Sequence, residues 1–310
     1  NYPYGLFKAN KTRDGLLSTL YFTFKVNNSA IPDYLDCYYS HFNRANNYLK
    51  KFVLVGDRYI TADSDFILSG EIFVPTLPEQ EKIASFLSSV DERIQKLERK
   101  KSLLEEYKKG VMQKIFSQEL RFKDENGNNY PDWEEKKLGE VAVINMGQSP
   151  DSKSYNREGH GLYLIQGNAD ISNRVSNPRQ WTSEPTKECK IGDLILTVRA
   201  PVGSISKSKH NACIGRGVCS ISNNVLSIIE YLYQFLLNYE DKWLRLEQGS
   251  TFTAVSGKDI RGIKINTPTI EEQQKIASFL SGIDKKIELV ETQIQQSKTF
   301  KKGLLQQMFV

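Results

Sequence analysis

One 43-residue stretch of this sequence occurs twice, and the two copies limit the folds that the chain can adopt. Residues 75–117 and 268–310 align without a gap, with 19 identical positions, and both contain Glu-Gln-x-Lys-Ile-Ala-Ser-Phe-Leu near the start. Self-similarity at a fixed spacing is the signature of a structural unit that is used more than once. We therefore predict an internal repeat with pseudo-twofold symmetry, which suits a twofold partner such as duplex DNA.

Each copy has the apolar pattern of a single long helix. Apolar side chains recur with a period of seven over about five repeats, which is typical of a coiled coil, although other packed helix pairs produce a similar stripe. Both copies begin with Thr-x-x-Glu, which predicts a capping box. We predict two long antiparallel coiled-coil helices that act as a spacer. Their predicted interface residues are Ile83, Val90, Leu97, Leu104, Val111, Ile276, Ile283, Ile287, Val290 and Ile294.

Polar residues interrupt these stripes at Lys101, Lys108, Ser297 and Lys301. A polar side chain in a coiled-coil seam lowers stability while it fixes register or partner choice. We therefore predict that the helix pair loosens, or meets another protein, at these positions.

The remaining sequence predicts two globular domains of unequal length. At the constant spacing of 193 residues, residues 32–51 fall on the start of a helix predicted at 225–248. The segment before the first long helix is therefore expected to be the C-terminal part of a domain whose N-terminal part is missing. The predicted division is 1–74 for that partial domain, 75–117 for the first long helix, 118–132 for a polar linker, 133–267 for a second, complete domain and 268–310 for the second long helix.

The complete domain mixes predicted strands with a helix, so the predicted fold class is α+β, with mixed α/β globular domains alternating with the two long helices. Strand-like runs occur at 162–166, 194–198 and 212–221, and the helix at 225–248 carries its apolar residues on one face. Gly215-Arg216-Gly217 is predicted to be a tight turn rather than a phosphate-binding loop.

Charge and cysteine content exclude several classes of protein. The net charge of +5 permits nucleic acid as a partner without requiring it. The four cysteines form no Cys-x-x-Cys pair and the three histidines are scattered, which argues against a zinc site and against a disulfide framework. No apolar run reaches the ~18 residues of a membrane span. We expect a cytoplasmic protein without a metal and without membrane attachment.

Sequence patterns for catalysis are few. The chain lacks a P-loop, Gly-x-Gly-x-x-Gly, His-Glu-x-x-His and the Asn-Pro-Pro-aromatic tetrapeptide of adenine methylation. Glu188 and Lys190, with Asp170 upstream, form the short Asp…Glu-x-Lys pattern of many nucleases, which is also common by chance. We expect no catalytic residues and a recognition or assembly module, with an autonomous nuclease as an alternative.

Several motifs resemble the specificity subunit of Type I restriction–modification systems. They are the helix opening Pro-x-x-x-Glu-Gln-x-Lys-Ile-Ala-x-Phe-Leu, the run Gly-Asp-Leu-Ile-Leu-Thr-Val-Arg-Ala-Pro-Val-Gly at 192–203, and Gly-Ser-Thr-Phe at 249–252 ahead of Asp259-Ile260. In that family each target-recognition domain reads one half of a split DNA site, and paired helices set the gap between the halves. The resemblance implies a non-catalytic DNA sequence-specificity subunit. It departs from the family at the start, where most of the first target-recognition domain is missing.

The resemblance also implies partners and cofactors. The helices would dock two methyltransferase subunits, which carry S-adenosylmethionine and methylate adenine, and restriction and translocase subunits would join with ATP and Mg²⁺. This chain would bind double-stranded DNA and no cofactor of its own. A coiled-coil scaffold whose globular domains bind protein is the alternative.

Basic residues in acid-free stretches are the predicted phosphate contacts. No acidic residue lies between Asp193 and Glu230, where the chain carries Arg199, Lys207, Lys209 and Arg216. Arg199 could instead pair with a guanine edge, and a solvated basic face is the alternative. The matching candidates in the first copy are Arg44, Lys50, Lys51 and Arg58.

Two further groups are candidate DNA contacts. Gly249, Ser250 and Thr251 offer amides and hydroxyls to a phosphate where a helix ends, although Gly249 could merely terminate the helix. The amides of Gln166 and Asn168 could read adenine, but amides in loops usually cap turns.

Overall fold

A computed structural model describes residues 23–40, 53, 54, 61, 62, 69, 71, 72, 74–249 and 254–309 of the chain. These residues are divided between two compact units. Unit 1 comprises Asn1–Leu103 and Ile287–Val310, and unit 2 comprises Leu104–Lys286. Helices and strands are both present, in agreement with the predicted α+β class.

The helices and strands have the following bounds. The helices are α1 (Pro32–Ser40), α2 (Leu77–Phe116), α3 (Leu138–Val141), α4 (Ile229–Gly249), α5 (Gly257–Arg261) and α6 (Ile270–Met308). The strands are β1 (Val53–Leu54), β2 (Thr61–Ala62), β3 (Glu134–Lys137), β4 (Ala142–Met146), β5 (Tyr155–Asn156), β6 (Leu162–Ile165), β7 (Ile171–Ser172), β8 (Val175–Ser176), β9 (Trp181–Thr182), β10 (Glu188–Cys189), β11 (Leu194–Thr197), β12 (Ile205–Lys207), β13 (Ala212–Ile214), β14 (Val218–Asn223) and β15 (Lys264–Thr267). None of the helices in this described part of the chain is long and apolar enough to span a membrane.

The two long helices, α2 and α6, contain 40 and 39 residues and begin 193 residues apart. At the start of α6, Thr269 Oγ1 accepts a hydrogen bond from the Glu272 amide at 3.4 Å, as in a capping box. The Glu272 carboxylate, however, accepts hydrogen bonds from Arg121 and Trp133. The predicted capping box therefore marks the start of α6 correctly, but the side chain of its glutamate forms hydrogen bonds with Arg121 and Trp133.

Unit 1 has a core of three tyrosines from α1 packed on apolar residues of both long helices. The tyrosine rings of Tyr34 and Tyr38 lie 5.7 and 5.6 Å from the ring of Phe309. Ring pairs at these distances add to the stabilisation that burial provides. The buried residues of this core are Tyr34, Tyr38, Tyr39, Ala84, Leu87, Leu305 and Phe309.

The predicted interface residues of α2 and α6 lie among covered positions in each unit. Val90, Ile276, Ile283, Val290 and Ile294 are buried, and the other five predicted residues are half-buried. On α2 the neighbouring stripe is covered more deeply, because Leu87, Ile94, Lys108 and Ile115 are all buried.

The lysines that were predicted to loosen the helix pair form ion pairs instead. In unit 1, Lys101 pairs with Glu291 at 2.8 Å and Lys301 pairs with Asp91 at 2.6 Å. In unit 2, buried Lys108 pairs with Asp284 at 2.7 Å. An acid on the facing helix satisfies each ammonium group, so the prediction of loosening is wrong at these three lysines.

Most of unit 2 consists of two sheets with α4 packed beside them. One sheet has the strand order β10-β13-β6-β9-β5, and the other has the order β4-β14-β11-β12-β8-β7. Residues 212–221, predicted as one strand, are two strands in different sheets, because the chain turns at Gly215–Gly217 between β13 and β14. The predicted turn is therefore confirmed, and the single strand is wrong.

Helix α4 begins at Ile229, four residues later than predicted. The Asn224 side chain accepts a hydrogen bond from the Leu226 amide at 2.9 Å, which closes a turn before the helix. Tyr231, in the first turn of α4, is buried and donates a hydrogen bond to the Asn266 carbonyl at 2.6 Å. Local side-chain chemistry thus delays the helix beyond the first apolar residues.

Candidate nucleic-acid interface

Three loops of unit 2 meet where β4, β6 and β13 end. The Gln148 amide donates to the Ile214 carbonyl at 2.8 Å, and the Gly215 amide donates to the Ile165 carbonyl at 2.8 Å. The Arg216 amide donates to Ser149 Oγ at 3.1 Å. These bonds hold residues 147–149, 166–168 and 215–217 against one another.

Glycine makes this approach possible at two positions. A Cβ atom on Gly147 would lie 2.1 Å from the Gly215 carbonyl oxygen, and one on Gly217 would lie 2.1 Å from the Gln166 carbonyl oxygen. Any larger residue at either position would force the loops apart.

A fourth loop, residues 199–203, joins this group. The Val198 amide donates to the Gly217 carbonyl at 2.9 Å, so Arg199 follows a residue that is bonded to the 215–217 turn. The loop contains a cis peptide bond between Ala200 and Pro201. Thr197 Oγ1 donates to the Pro201 carbonyl at 2.6 Å, which closes the loop on itself. We call the four loops together (147–149, 166–168, 199–203 and 215–217) the loop edge.

The loop edge contains four of the predicted DNA contacts. Arg199, Arg216 and Asn168 are exposed there, and Gln166 is half-buried. The backbone amide of Gln166 donates a hydrogen bond to the carboxylate of buried Asp170 at 2.8 Å, which fixes the 166–168 turn. The geometry therefore combines two exposed guanidinium groups with two amide side chains, which is a set that can contact phosphates and base edges.

The predicted lysines lie at the other end of the β11–β12 ladder. Lys207 pairs across the ladder with Leu194, whereas Arg199 follows the opposite end of β11. The Lys207 ammonium lies 2.5 Å from a carboxylate oxygen of Glu230 and 4.3 Å from the centre of the Tyr233 ring. Lys209 is exposed, and its amide donates to Ser176 Oγ at 2.8 Å. The four cations of the acid-free stretch thus divide into two groups.

Sequence reasoning missed an ion pair beside Lys207. The Arg174 guanidinium forms two hydrogen bonds with the Glu240 carboxylate on α4 and a third with the Ile205 carbonyl. Burial lowers the pKa of Arg174, but the hydrogen bonds and negative charge of Glu240 outweigh it and leave that pKa raised. The two residues are 66 positions apart, and an amphipathic helix pattern does not show which basic residue its acids will meet.

The pKa of Glu230 is likewise set by burial and by an oppositely charged neighbour, which act in opposite directions. Burial raises the pKa of its carboxyl group, but hydrogen bonds from Lys207 and Ser281 and the charge of Lys207 outweigh burial and lower that pKa. The Glu230 carboxylate is therefore ionised, and it neutralises Lys207.

The nuclease pattern has no matching metal site in the part of the chain that the structure describes. Asp170 is buried and its carboxylate holds the 166–168 turn. Glu188 and Lys190 are exposed around β10. Over the described residues, no group of three or more His, Cys, Asp and Glu side chains could hold a metal ion.

Seven further predicted contacts remain. Gly249 is the last residue of α4. The other six predicted contacts lie outside the described residues: Arg44, Lys50, Lys51, Arg58, Ser250 and Thr251.

Comparison with known proteins decides the family. A family described as the Type I restriction modification DNA specificity domain matches residues 130–298, which is more than half of the chain. The chain belongs to this family. A relative described as the type I restriction enzyme MjaX specificity subunit of Methanocaldococcus jannaschii is 36% identical over 243 residues. That alignment covers 76% of this chain and 57% of the relative, so this specificity-domain chain spans little more than half the relative's length.

Two solved structures resemble this specificity-domain protein. One, from a study of assembly and conformational transition in the type I R-M system, is 28% identical and superposes with a TM-score of 0.62 over 90% of this chain and 71% of the other. The second is the HsdS subunit of Thermoanaerobacter tengcongensis, which is 27% identical, with a TM-score of 0.54 and coverage of 90% and 70%. Both similarities extend well beyond the matched family segment.

Proposed function

We propose that this chain is a non-catalytic DNA sequence-specificity subunit of a Type I restriction–modification complex, and that the loop edge contacts DNA. The observation that carries the proposal is the pair of exposed arginines, Arg199 and Arg216, on loops held together by backbone hydrogen bonds. Within the described part of the chain, neither arginine forms an ion pair with an acid. A guanidinium group without an acidic partner can neutralise a phosphate or pair with a guanine edge.

A pseudo-twofold repeat is the second part of the proposal. Buried Gln80 accepts a hydrogen bond from the Ile31 amide and donates to the carbonyls of Ser29 and Pro75. Its counterpart Gln273 accepts from the Ile228 amide and donates to the carbonyls of Leu226 and Pro268. The same amide thus fixes a helix start to the preceding segment in each unit.

Contacts farther along the helices support the same repeat. Lys108 and Asp284 are the counterparts of Lys301 and Asp91, and both pairs form ion pairs. Phe116 lies 5.8 Å from the Tyr231 ring, just as its counterpart Phe309 lies 5.7 Å from Tyr34. Each unit therefore contains the same helix–aromatic arrangement.

Pairing between the helices supports an antiparallel coiled coil. In unit 1, Asp91, Glu98 and Lys101 of α2 pair with Lys301, Lys298 and Glu291 of α6, so the partner's number falls as the number on α2 rises. We infer that the predicted division of the chain applies, with 1–74 as the C-terminal part of the first target-recognition domain and 133–267 as the second. The helices at 75–117 and 268–310, with the linker at 118–132, would set the gap between two DNA half-sites.

The partners follow from this assignment. Exposed apolar side chains along the helices, Leu103, Tyr107, Leu289 and Phe300, suit docking of two methyltransferase subunits. Those subunits would carry S-adenosylmethionine and methylate adenine at N6, and restriction subunits would use ATP and Mg²⁺. The complex would act in the cytoplasm.

A map of methylated adenines tests the proposal. The chain would be co-expressed with the matching methyltransferase subunit, and the methylated sites would be sequenced. We expect two short specific sequences around a fixed gap, with Arg199→Ala plus Arg216→Ala weakening one of them. A stable complex that methylates no specific sequence would contradict the proposal and favour a scaffold role.

A further inference from the structure

One face at the start of α6 is covered by residues 120–133, which we call the cover segment. Arg121 donates to both carboxylate oxygens of Glu272, at 3.3 and 2.8 Å, and Trp133 Nε1 donates to the same carboxylate at 2.9 Å. The Glu272 side chain is 0% exposed. The hydrogen bond with Glu272 is the main reason that the pKa of Arg121 is raised. The cover segment therefore supplies the hydrogen-bond partners of a fully buried glutamate.

Two further residues of α6 complete the covered face. The ring of Phe279 lies 5.5 Å from the ring of Phe122 in an edge-on arrangement. The Lys275 ammonium donates to the Lys123 carbonyl at 2.7 Å and lies 5.6 Å from the centre of the Tyr130 ring. Glutamate, lysine and phenylalanine at this spacing thus bind a segment that carries Arg-Phe and, farther on, tyrosine and tryptophan.

Helix α2 has the same three residues at the same positions. Glu79, Lys82 and Phe86 are the counterparts of Glu272, Lys275 and Phe279. All three are exposed, and the Phe86 side chain is 44% exposed. Beneath them the helix start is built alike, because Gln80 is as fully buried as Gln273. The difference between the two faces is therefore the cover and not the helix.

We propose that Glu79, Lys82 and Phe86 form a docking site for a protein segment with the chemistry of the cover segment. An arginine of that segment would pair with Glu79, the adjacent phenylalanine would pack on Phe86, and a backbone carbonyl would accept from Lys82. A downstream indole would donate to Glu79 as Trp133 donates to Glu272. The proposal rests on the repeat proposed above and does not depend on DNA binding.

Charge complementarity favours this occupant. Glu79, Lys82 and Phe86 stand at positions i, i+3 and i+7, so one helix face presents a carboxylate, an ammonium group and an exposed phenylalanine in that order. An Arg-Phe pair complements the carboxylate and the phenylalanine. The occupied site on α6 shows that the same three side chains accept such a segment without rearranging the helix start. A purely apolar partner would leave the Glu79 carboxylate unpaired.

A fluorescent peptide with the sequence of residues 118–133 tests the proposal on the 310-residue protein. We expect saturable binding by fluorescence anisotropy, and Phe86→Ala should weaken it at least about tenfold, as removal of a central aromatic anchor does. Val143→Ala is the matched control, because it removes an exposed apolar side chain from β4, to which no binding role is assigned. Circular dichroism checks that each variant keeps its helix content. The peptide should rarely displace the cover segment from α6, because the protein's own cover segment has a high effective concentration there.

A charge swap provides the second, independent measurement. Glu79→Arg should weaken the native peptide about tenfold, and a peptide with Arg121→Glu should recover affinity for that variant but not for the wild-type protein. Equal binding of the native peptide to wild-type protein and to Phe86→Ala would overturn the proposal. So would self-association without peptide that Phe86→Ala abolishes, because the occupant would then be a second copy of the chain. DNA affinity, measured in parallel, separates failure here from failure of the proposed function.

Discussion

The two ends of the β11–β12 ladder use the same kind of residue in opposite ways. At the loop edge, Arg199 and Arg216 are exposed and, among the described residues, form no ion pair. At the other end, Lys207 pairs with Glu230 and Arg174 pairs with Glu240, both on α4. The contrast shows that the acids of one helix decide which cations are held in ion pairs and which remain exposed without an acidic partner.

The energetic consequences of the two environments differ. A partly buried ion pair such as Arg174–Glu240 removes charge from the surface, and loss of one partner leaves the other desolvated without compensation. An exposed arginine contributes little to folding, but it contributes to DNA affinity through release of the counterions held by each phosphate. Substitutions at the two ends should therefore separate stability from binding.

The largest effect is expected where the loop edge depends on backbone contact. Gly217→Ala would place a Cβ atom 2.1 Å from the Gln166 carbonyl oxygen. The two loops must shift apart to avoid this clash, and the lost packing should lower the free energy of unfolding by about 3 kcal/mol. It should also weaken DNA binding by the assembled complex, because the loops separate. Urea denaturation measures the first quantity and a gel-shift titration measures the second.

Gly110→Ala is the control for this substitution. Gly110 lies within the C-terminal part of α2, before its last turn, with open space around its Cα atom, so alanine there should raise stability by about 0.5–1 kcal/mol through helix propensity. Unchanged stability in Gly217→Ala would mean that the 166–168 and 215–217 turns are not rigidly joined.

The second-largest effect is expected at the end of the β11–β12 ladder where Lys207 and Arg174 pair with acids of α4. Glu240→Gln keeps the shape of the side chain but removes the charge that holds Arg174, and the Glu240 side chain is only 18% exposed. We expect a loss of about 2 kcal/mol of unfolding free energy and no change in DNA affinity per folded molecule. The same substitution at exposed Glu188 should change stability by less than about 0.5 kcal/mol. A comparable loss of DNA affinity in Glu240→Gln would break the division between the two ends.

The arginines of the loop edge should show the reverse behaviour. Arg199→Ala plus Arg216→Ala should weaken DNA binding by the assembled complex by about 2 kcal/mol and reduce the slope of log affinity against log salt by about 0.9 for each lost phosphate contact. Lys207→Ala is the matched control, because Glu230 already neutralises that lysine. An equal change of slope in Lys207→Ala would show that the ion pair opens on DNA binding.

Local patterns explain what could be predicted from the sequence. The heptads and Thr-x-x-Glu openings predict helices at 75–117 and 268–310, and the observed helices run Leu77–Phe116 and Ile270–Met308. Apolar spacing and helix starts depend on neighbouring residues, so they can be read from one segment at a time. The gathering of Gln166, Arg199 and Arg216 at one edge was not predicted, because it depends on strand pairing.

Long-range contacts explain what could not be predicted. The break between β13 and β14 depends on Gly217 meeting Gln166, about 50 residues away in the sequence. The roles of Lys207 and Arg174 depend on Glu230 and Glu240 of α4, which a charge count over 194–229 leaves out. Composition thus identified a basic stretch. The tertiary structure places each cation of that stretch at one end or the other of the β11–β12 ladder.

The smallest effect concerns the core between the two ends. Cys219 lies on β14, paired with Leu196 of β11 and Met146 of β4, and it is fully buried. Burial raises the pKa of its thiol to about 12. The unfolded thiol ionises near its ordinary pKa of 9.0, so the unfolded state binds fewer protons than the native state above that pH. This contribution to stability is complete below pH 9 and is lost as the pH rises toward 12.

Between pH 8 and pH 10 the wild-type protein should lose about 1 kcal/mol more unfolding free energy than Cys219→Ala, measured by urea denaturation at each pH. Equal pH dependence in the two proteins would mean that water reaches β14, and the two ends would then share one solvated region.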